Sequence, residues 1–182
     1  WESACKKIRE WIDKGIEPVP ISVNISREYI HTFDVVGEML HLVNKYDIPI
    51  KLLELEITET TDSEGVSDVV QKMKDAGFTM LMDDFGSGYS SLNMLQKTQF
   101  DVLKIDRGFL SEFMESSRGR KIISHTISMS RDIGLDIIAE GVETPEQASF
   151  LSDCGCDSAQ GFYYSKPITQ EEFDKMLVEV NK

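Results

Sequence analysis

Six strand-like runs alternate with helical patterns, and this alternation is what most limits the folds open to the chain. The strand-like runs are 21–25, 51–58, 78–82, 101–105, 136–139 and 157–160. Apolar residues at helical spacing predict helices over 28–46, 62–76 and about 117–133, after Thr144-Pro145, and from Thr169. Strands separated by helices pair in parallel in a layered α/β domain. The pattern alone fits either an open doubly wound sheet or an incomplete (β/α)₈ barrel.

Size and charge exclude several classes of function. The chain has 182 residues, of which 41% are hydrophobic, so it can bury one domain's core. Its net charge of −13 argues against a nucleic acid polymer as partner, because binding DNA or RNA requires a basic surface. No apolar run approaches the roughly 18–20 residues that cross a bilayer, which predicts no direct membrane insertion. Three cysteines, an odd number, fit a reducing cytoplasm.

Polar side chains stand at the end of every predicted strand. In a parallel sheet the carboxyl ends of the strands share one edge, where α/β folds place their sites. Crowded carboxylates repel one another, and a divalent cation held by oxygen ligands (Mg²⁺, Mn²⁺ or Ca²⁺) would relieve the repulsion. The adjacent pair Asp83-Asp84 suits two metals with one bridging carboxylate. The strand-end residues are Asn24, Glu56 with Glu59 just beyond, Asp83 with Asp84, Lys104 with Asp106, Glu140 with Glu143, and Gln160.

Structural roles compete with catalytic ones at several of these positions. Asp106 and Glu143 are secondary candidates, because an acid before a helix is at least as often a cap or a loop brace. Lys104 lies in an apolar strand, where a lysine normally needs a carboxylate partner. Asn24 could satisfy backbone groups or ligate a metal, and Gln160 could be only a turn residue.

The segment 83–91, DDFGSGYSS, is the densest local signal in the sequence. Its glycines permit positive φ and its serines supply hydroxyls. It lacks both the P-loop and the dinucleotide-binding glycine patterns, so nucleotide binding of those two kinds is unsupported. A loop directly after two candidate metal ligands is a good candidate for a mobile lid. The predicted substrate or lid residues are Phe85, Gly86, Ser87, Gly88 and Tyr89.

Several motifs occur in an order that matches a known family. They are VNIS at 23–26, LELEITET at 53–60, DDFGSGYSSL at 83–92, LKID at 103–106, AEGVET at 139–144 and QGFYYSKP at 160–167. With these the chain resembles the EAL domain, the bacterial cyclic di-GMP phosphodiesterase, over essentially all of residues 1–182. The resemblance implies a TIM-like (β/α)₈ barrel with its site at the carboxyl ends of the strands.

The resemblance also implies roles for individual residues. Asn24, Glu56 and Asp83 would ligate one divalent cation, Mg or Mn, and Asp83 would bridge to a second cation also held by Asp84. Lys104 and Glu140 would orient or activate the attacking water, and Gln160 would help to hold it. Glu59 is similar to the family residue that braces the DDFG loop.

The sequence departs from the family pattern at its beginning. The Glu-Ala-Leu segment that names the family, whose Glu is a metal ligand, is absent, as are the first strands of the barrel. A complete barrel needs about 250 residues, so we expect this chain to be the C-terminal three quarters of the domain. Such a chain on its own is expected to be marginally stable and nearly inactive, with the parent protein competent. Ser87 stands where Thr is commoner and Phe162 where Tyr is commoner; both changes look tolerable.

The leading hypothesis is therefore hydrolysis of cyclic di-GMP to linear pGpG. A catalytically impaired cyclic di-GMP receptor or scaffold is the alternative from another class. An enolase-type Mg²⁺-dependent barrel enzyme fits the Asp pair and the GSGYSS loop poorly. Implied partners are cyclic di-GMP, a second copy in a homodimer, and fused GGDEF or sensory domains, in a cytoplasmic protein whose parent could be membrane-anchored.

Overall fold

The computed structural model describes residues 1–32, 34–58, 65–87 and 91–180. Its helices and strands alternate along the chain as the sequence predicts. In order they are α1 (Glu2–Asp13), β1 (Ile21–Asn24), α2 (Arg27–Thr32), α3 (Val35–Tyr46), a 3₁₀ turn (Ile50–Leu52), β2 (Leu53–Thr58), α4 (Val66–Ala76), β3 (Thr79–Phe85), α5 (Ser91–Lys97), β4 (Val102–Ile105), α6 (Arg107–Met114), α7 (Ser117–Asp132), β5 (Asp136–Ala139), α8 (Pro145–Cys154), β6 (Ser158–Ala159) and α9 (Gln170–Val180).

The strands form one parallel sheet in which each strand lies beside its predecessor in the chain. The order is β1-β2-β3-β4-β5-β6, so β1 and β6 are its two edges in the described part of the chain. A doubly wound sheet would reverse its strand order at a switch point, and this sheet does not. The sheet is therefore a parallel half-barrel, which confirms the barrel alternative.

The two faces of the sheet differ in character because side chains alternate along each strand. Leu55, Ile57, Met80, Met82 and Leu103 point to one face and are buried in a core shared with helices α3 and α4. Burying side chains of this size stabilises the fold by roughly 1.5–3 kcal/mol each. The opposite, inner face carries the charged residues of the strands.

Two predicted features differ from the structure, in both cases because a side chain caps a helix. The helix predicted over 28–46 is two helices, because Asp34 caps α3 by accepting a hydrogen bond from the backbone N–H of Gly37 at 3.0 Å. Helix α6 was not predicted, and it begins after Asp106, whose carboxylate accepts from the N–H groups of Gly108 and Phe109.

Other boundaries agree with expectation. Thr144 is the N-cap of α8 and takes part in a capping box, and Pro145 lies in the first turn of that helix. At the start of α9, Thr169 and Glu172 exchange hydrogen bonds. The helix predicted over 62–76 begins at Val66, because Gly65 has a left-handed φ of +98° and caps it; residues 62–64 lie outside the described residues.

Helices α1 and α9 are joined by a partly buried charge cluster. The ammonium of Lys7 lies 2.6 Å from the Asp174 carboxylate and 3.1 Å from Glu10, and the indole N–H of Trp11 donates to Asp174 at 2.7 Å. Lys7 is 8% exposed. This cluster ties the first helix to the last. Among the described residues, no helix has the length and apolar character needed to cross a bilayer.

Candidate active site

The register of the sheet brings the strand-end residues to one end of its inner face. Asn24 and Glu56 are directly opposed on β1 and β2. Glu56 is opposed to Leu81 on β3, so Asp83, two residues further along, points to the same face. Leu103 on β4 pairs with Met82 on β3, so the next residue, Lys104, points to the same face as Asp83. Lys104 itself pairs with Ile138 on β5.

Lys104 lies at the centre of the site. Its Nζ atom is 2.8 Å from Oε1 of Glu56, 3.0 Å from Oδ1 of Asp83 and 2.8 Å from Oε1 of Glu140. The side chain is 7% exposed. Burial would lower the pKa of Lys104, but the hydrogen bonds that its ammonium donates to Glu140, Glu56 and Asp83 outweigh burial and raise that pKa above its usual value. The raised pKa favours the charged form of Lys104, and the predicted need for a carboxylate partner is met by three acids.

Glu140 connects Lys104 to the last strand. Its Oε1 atom also accepts a hydrogen bond from Nε2 of Gln160 at 2.6 Å, so Gln160 is more than a turn residue. The pKa of Glu140 is raised, because the effect of burial exceeds the lowering by the hydrogen bond from Lys104. A carboxylate held by two donors at a fixed position can orient a small polar ligand such as water.

Asp84 follows Asp83 in an uncommon backbone conformation. Its φ is +60°, in the left-handed region, and the pairing of β3 with β4 shifts register between Met82 and Phe85. The Asp84 N–H donates to Oδ1 of Asp83 at 3.0 Å. Burial first, and then the charges of Asp83 and Asp106, raise the pKa of Asp84. A nearby cation would therefore favour its charged form.

Asn24 lies at the rim of the site and is exposed. Its backbone carbonyl accepts a hydrogen bond from the Trp1 indole at 2.9 Å. Its side chain makes no hydrogen bond within the described part of the chain, so the alternative that it satisfies backbone groups finds no support there.

Glu54 is an inner-face residue that sequence reasoning missed. It lies two residues before Glu56 on β2, with Ser22 and Thr79 as register partners. Burial, followed by the charge of Glu56, raises its pKa. The alternation in Leu-Glu-Leu-Glu could have revealed it, because two acids at period two on a strand share one face.

The secondary candidates have structural contacts of their own. Asp106 caps α6, and Glu143 forms an ion pair with Arg107 at 2.6 Å. Neither contacts Lys104 through an ion pair or hydrogen bond within the described residues.

The lid prediction can be followed only over its first residues. Phe85 ends β3 and is buried, with its ring edge-to-face to Phe109 at 6.1 Å, so it anchors the loop. Gly86 has φ +96°, and a Cβ there would lie 2.4 Å from the Phe109 ring. The Ser87 N–H donates to the Asp84 carbonyl at 3.1 Å, closing a turn. Glu59, Gly88 and Tyr89 lie outside the described residues.

The donor set at this edge consists of carboxylate and amide oxygens, which suits Mg²⁺ or Mn²⁺. Asn24, Glu56 and Asp83 occupy neighbouring strands on one face, so the donor chemistry fits a divalent cation. In the described part of the chain, no three Asp, Glu, His or Cys side chains are already arranged as metal ligands. The ammonium of Lys104 lies between the carboxylates instead.

The family assignment follows from comparison with known proteins. The model of the EAL domain matches residues 1–167, and the chain belongs to the EAL domain family. Among curated proteins, signaling protein YkoW of Bacillus subtilis is 34% identical over 181 residues, 98% of this chain and 22% of that protein. The bifunctional diguanylate cyclase/cyclic di-GMP phosphodiesterase MucR of Pseudomonas aeruginosa is 34% identical over 174 residues, 94% of this chain and 25% of that protein. The chain thus spans about a quarter of the length of these relatives.

Solved structures confirm the TIM-like barrel fold. The EAL domain of Mycobacterium smegmatis DcpA superposes with a TM-score of 0.91 at 31% identity, over 98% of this chain and 82% of that one. The PaMucR phosphodiesterase in complex with c-di-GMP superposes with a TM-score of 0.85 at 34% identity, over 94% of this chain and 71% of that one.

Proposed function

We propose that this domain is a metal-dependent phosphodiesterase that hydrolyses cyclic di-GMP to linear pGpG. The observation that carries the proposal is the contact of Lys104 with Glu56, Asp83 and Glu140 at the carboxyl edge of the sheet, with Gln160 bonded to Glu140. Family membership supports it, since relatives are named as cyclic di-GMP phosphodiesterases.

The metal ligands in this proposal are Asn24, Glu56, Asp83 and Asp84. Bound divalent cations would acidify a water and offset the charge of the phosphodiester. The acidic edge and the chain's net charge of −13 oppose an anionic substrate, so positive charge at this edge is needed for binding.

The remaining residues position the reactants. Glu140 holds the attacking water through the carboxylate oxygens that Lys104 and Gln160 keep in place. The water oxygen forms a bond to one phosphorus as the bond from that phosphorus to the ribose O3′ breaks. One water proton leaves to solvent or to an acceptor at the site, and the O3′ oxygen takes up a proton. The product carries one 5′-phosphate and one free 3′-hydroxyl, which is pGpG.

Removing divalent metal should abolish turnover. With the complete protein and saturating cyclic di-GMP, an excess of EDTA is expected to lower the rate by at least about 10³-fold, and Mg²⁺ or Mn²⁺ in excess of the chelator to restore it. The measurement is chromatographic quantitation of pGpG. Unchanged turnover in chelator would contradict the mechanism. Calorimetric binding of cyclic di-GMP without any pGpG in Mg²⁺ or Mn²⁺ would instead favour the receptor hypothesis.

A further inference from the structure

A cavity of about 940 Å³, which we call the outer groove, lies among helices α5, α6 and α7. Its walls include Phe85, Leu92, Phe113, Ile122 and Met129. None of the metal ligands or water-positioning residues of the proposed hydrolysis lines it. Its volume lies within the range of roughly 300–1,000 Å³ that is typical of small-molecule sites.

The floor of the outer groove is aromatic. The rings of Phe85 and Phe109 meet edge-to-face with 6.1 Å between their centroids, and Phe109 stacks on Phe113 at 4.5 Å. At the open side of the groove, Leu92 is 61% exposed and Ile122 is 39% exposed. Exposed apolar side chains beside aromatic rings in a concave surface are typical of a binding site.

Helix α7 has two faces of different character. Ile123 and Ile127 are buried in the core beside the sheet. The α7 residues that line the outer groove recur at intervals of three and four: Arg118, Lys121, Ile122, His125 and Met129. This spacing places them on one side of the helix, so α7 presents a basic and apolar stripe to the groove.

The rim of the outer groove carries positive charge. Arg118 and Lys121 are exposed, and neither forms an ion pair or hydrogen bond with another described residue. Arg120, on the same helix, is instead paired with Glu146 at 2.5 Å. Although the chain has a net charge of −13, no acidic side chain among the described residues lines the groove. The rim therefore favours a ligand with an anionic group at one end.

The length of the groove matches that of one acyl chain. From Arg118 to Met129, α7 rises about 16 Å at 1.5 Å per residue. One acyl chain spans half of the hydrocarbon core of a bilayer, about 15 Å. A carboxylate at Arg118 and Lys121 would therefore leave its acyl chain along Ile122 and Met129.

We propose that the outer groove binds one long-chain fatty acid. Its carboxylate accepts from Arg118 and Lys121, and its acyl chain packs on Phe113, Ile122 and Met129. Cations at one end of an apolar floor select an amphipathic anion of this length. The proposal is independent of the proposed hydrolysis, because binding at this groove requires no residue that acts on cyclic di-GMP.

Calorimetry on the complete protein tests the proposal, with palmitoleate below its critical micelle concentration as the probe. We expect one palmitoleate per chain, and at least about 10-fold weaker binding of palmitoleyl alcohol, which has the same acyl chain without the charge. Arg118→Glu combined with Lys121→Glu should raise the Kd for palmitoleate roughly 10- to 100-fold. Ile122→Asp should raise it at least about 10-fold, because it places a charge against the acyl chain.

Two matched variants control for net charge and for exposed apolar surface. Lys72→Glu combined with Lys175→Glu reverses two exposed cations outside the groove and gives the same net charge. Ile133→Asp replaces an apolar residue that is 56% exposed and lies outside the groove. Both should bind palmitoleate as the wild type does. Every replaced side chain is exposed, so all of these variants should fold and melt close to the wild type.

Three results would overturn the fatty-acid site. The first is absence of palmitoleate binding, or an equal loss of affinity in the groove variants and their controls. The second is binding to anionic phospholipid vesicles without binding of monomeric palmitoleate, which would assign this face to a membrane surface. The third is a dimer in analytical ultracentrifugation that Ile122→Asp converts to a monomer while palmitoleate does not bind, which would make the groove an interface between two copies of the chain.

Discussion

Replacing Lys104 with methionine should remove activity and weaken the fold at once. The variant leaves Glu56, Asp83 and Glu140 crowded on the inner face without the cation that contacts all three. Loss of a group that positions the attacking water typically costs about 10²–10⁴-fold in rate, and we expect about 10³-fold in kcat. Removing one partner from a buried ion pair costs about 3–5 kcal/mol of unfolding free energy. Steady-state hydrolysis of cyclic di-GMP and urea unfolding measure the two effects.

Lys7→Met is the matched control for this variant. Lys7 is 8% exposed and Lys104 7%, and each is paired with more than one carboxylate. Lys7 joins α1 to α9 and contacts none of the site residues. Its variant should unfold at a lower temperature yet keep kcat within about twofold where folded. Near wild-type turnover by Lys104→Met would show that the ammonium is not needed and would remove the basis of the mechanism.

Gly161→Ala should lower activity about 10²-fold without replacing any polar side chain of the site. A Cβ atom at residue 161 would lie 2.2 Å from the carbonyl oxygen of Val142 and 2.3 Å from its nitrogen. Those atoms are backbone, and Val142 donates to the Gln160 carbonyl at 3.0 Å, so the clash must move Gln160 away from Glu140. A displacement of about 1 Å at a positioning residue costs about 10²-fold in rate, which is the expected fall in kcat. Overpacking adds about 1–3 kcal/mol of destabilisation.

Gly134→Ala is the control for Gly161→Ala, because it introduces backbone strain without a steric clash. Gly134 has φ +84°, but a Cβ there would meet no atom within 4 Å. This variant should lose about 1 kcal/mol of stability through its left-handed conformation and keep full activity. If Gly161→Ala is as active as Gly134→Ala, then the contact between Gln160 and Glu140 is unimportant for the reaction.

The fold could be predicted largely because strand-like runs alternate with helical patterns along the chain. Six parallel strands and the joint position of Glu56, Asp83, Lys104, Glu140 and Gln160 agree with the structure. The choice between a barrel and a doubly wound sheet required the strand order, which depends on packing between elements distant in sequence.

What the sequence missed was local hydrogen bonding and three-dimensional placement. Asp34 breaks a pattern that is helical on periodicity alone, because its side chain can satisfy the first turn of α3. The ion pair of Arg107 with Glu143 joins the first residue of α6 to the segment before α8, and no spacing rule predicts it. The roles of Glu59, Gly88 and Tyr89 remain predictions from the resemblance.

The most direct measurement of the central claim is hydrolysis of cyclic di-GMP by the complete protein in H₂¹⁸O with Mg²⁺ or Mn²⁺, followed by mass spectrometry of the product. Attack by water held at Glu140 predicts pGpG with one ¹⁸O atom on its 5′-phosphate. Absence of pGpG, or pGpG without the label, would contradict the account.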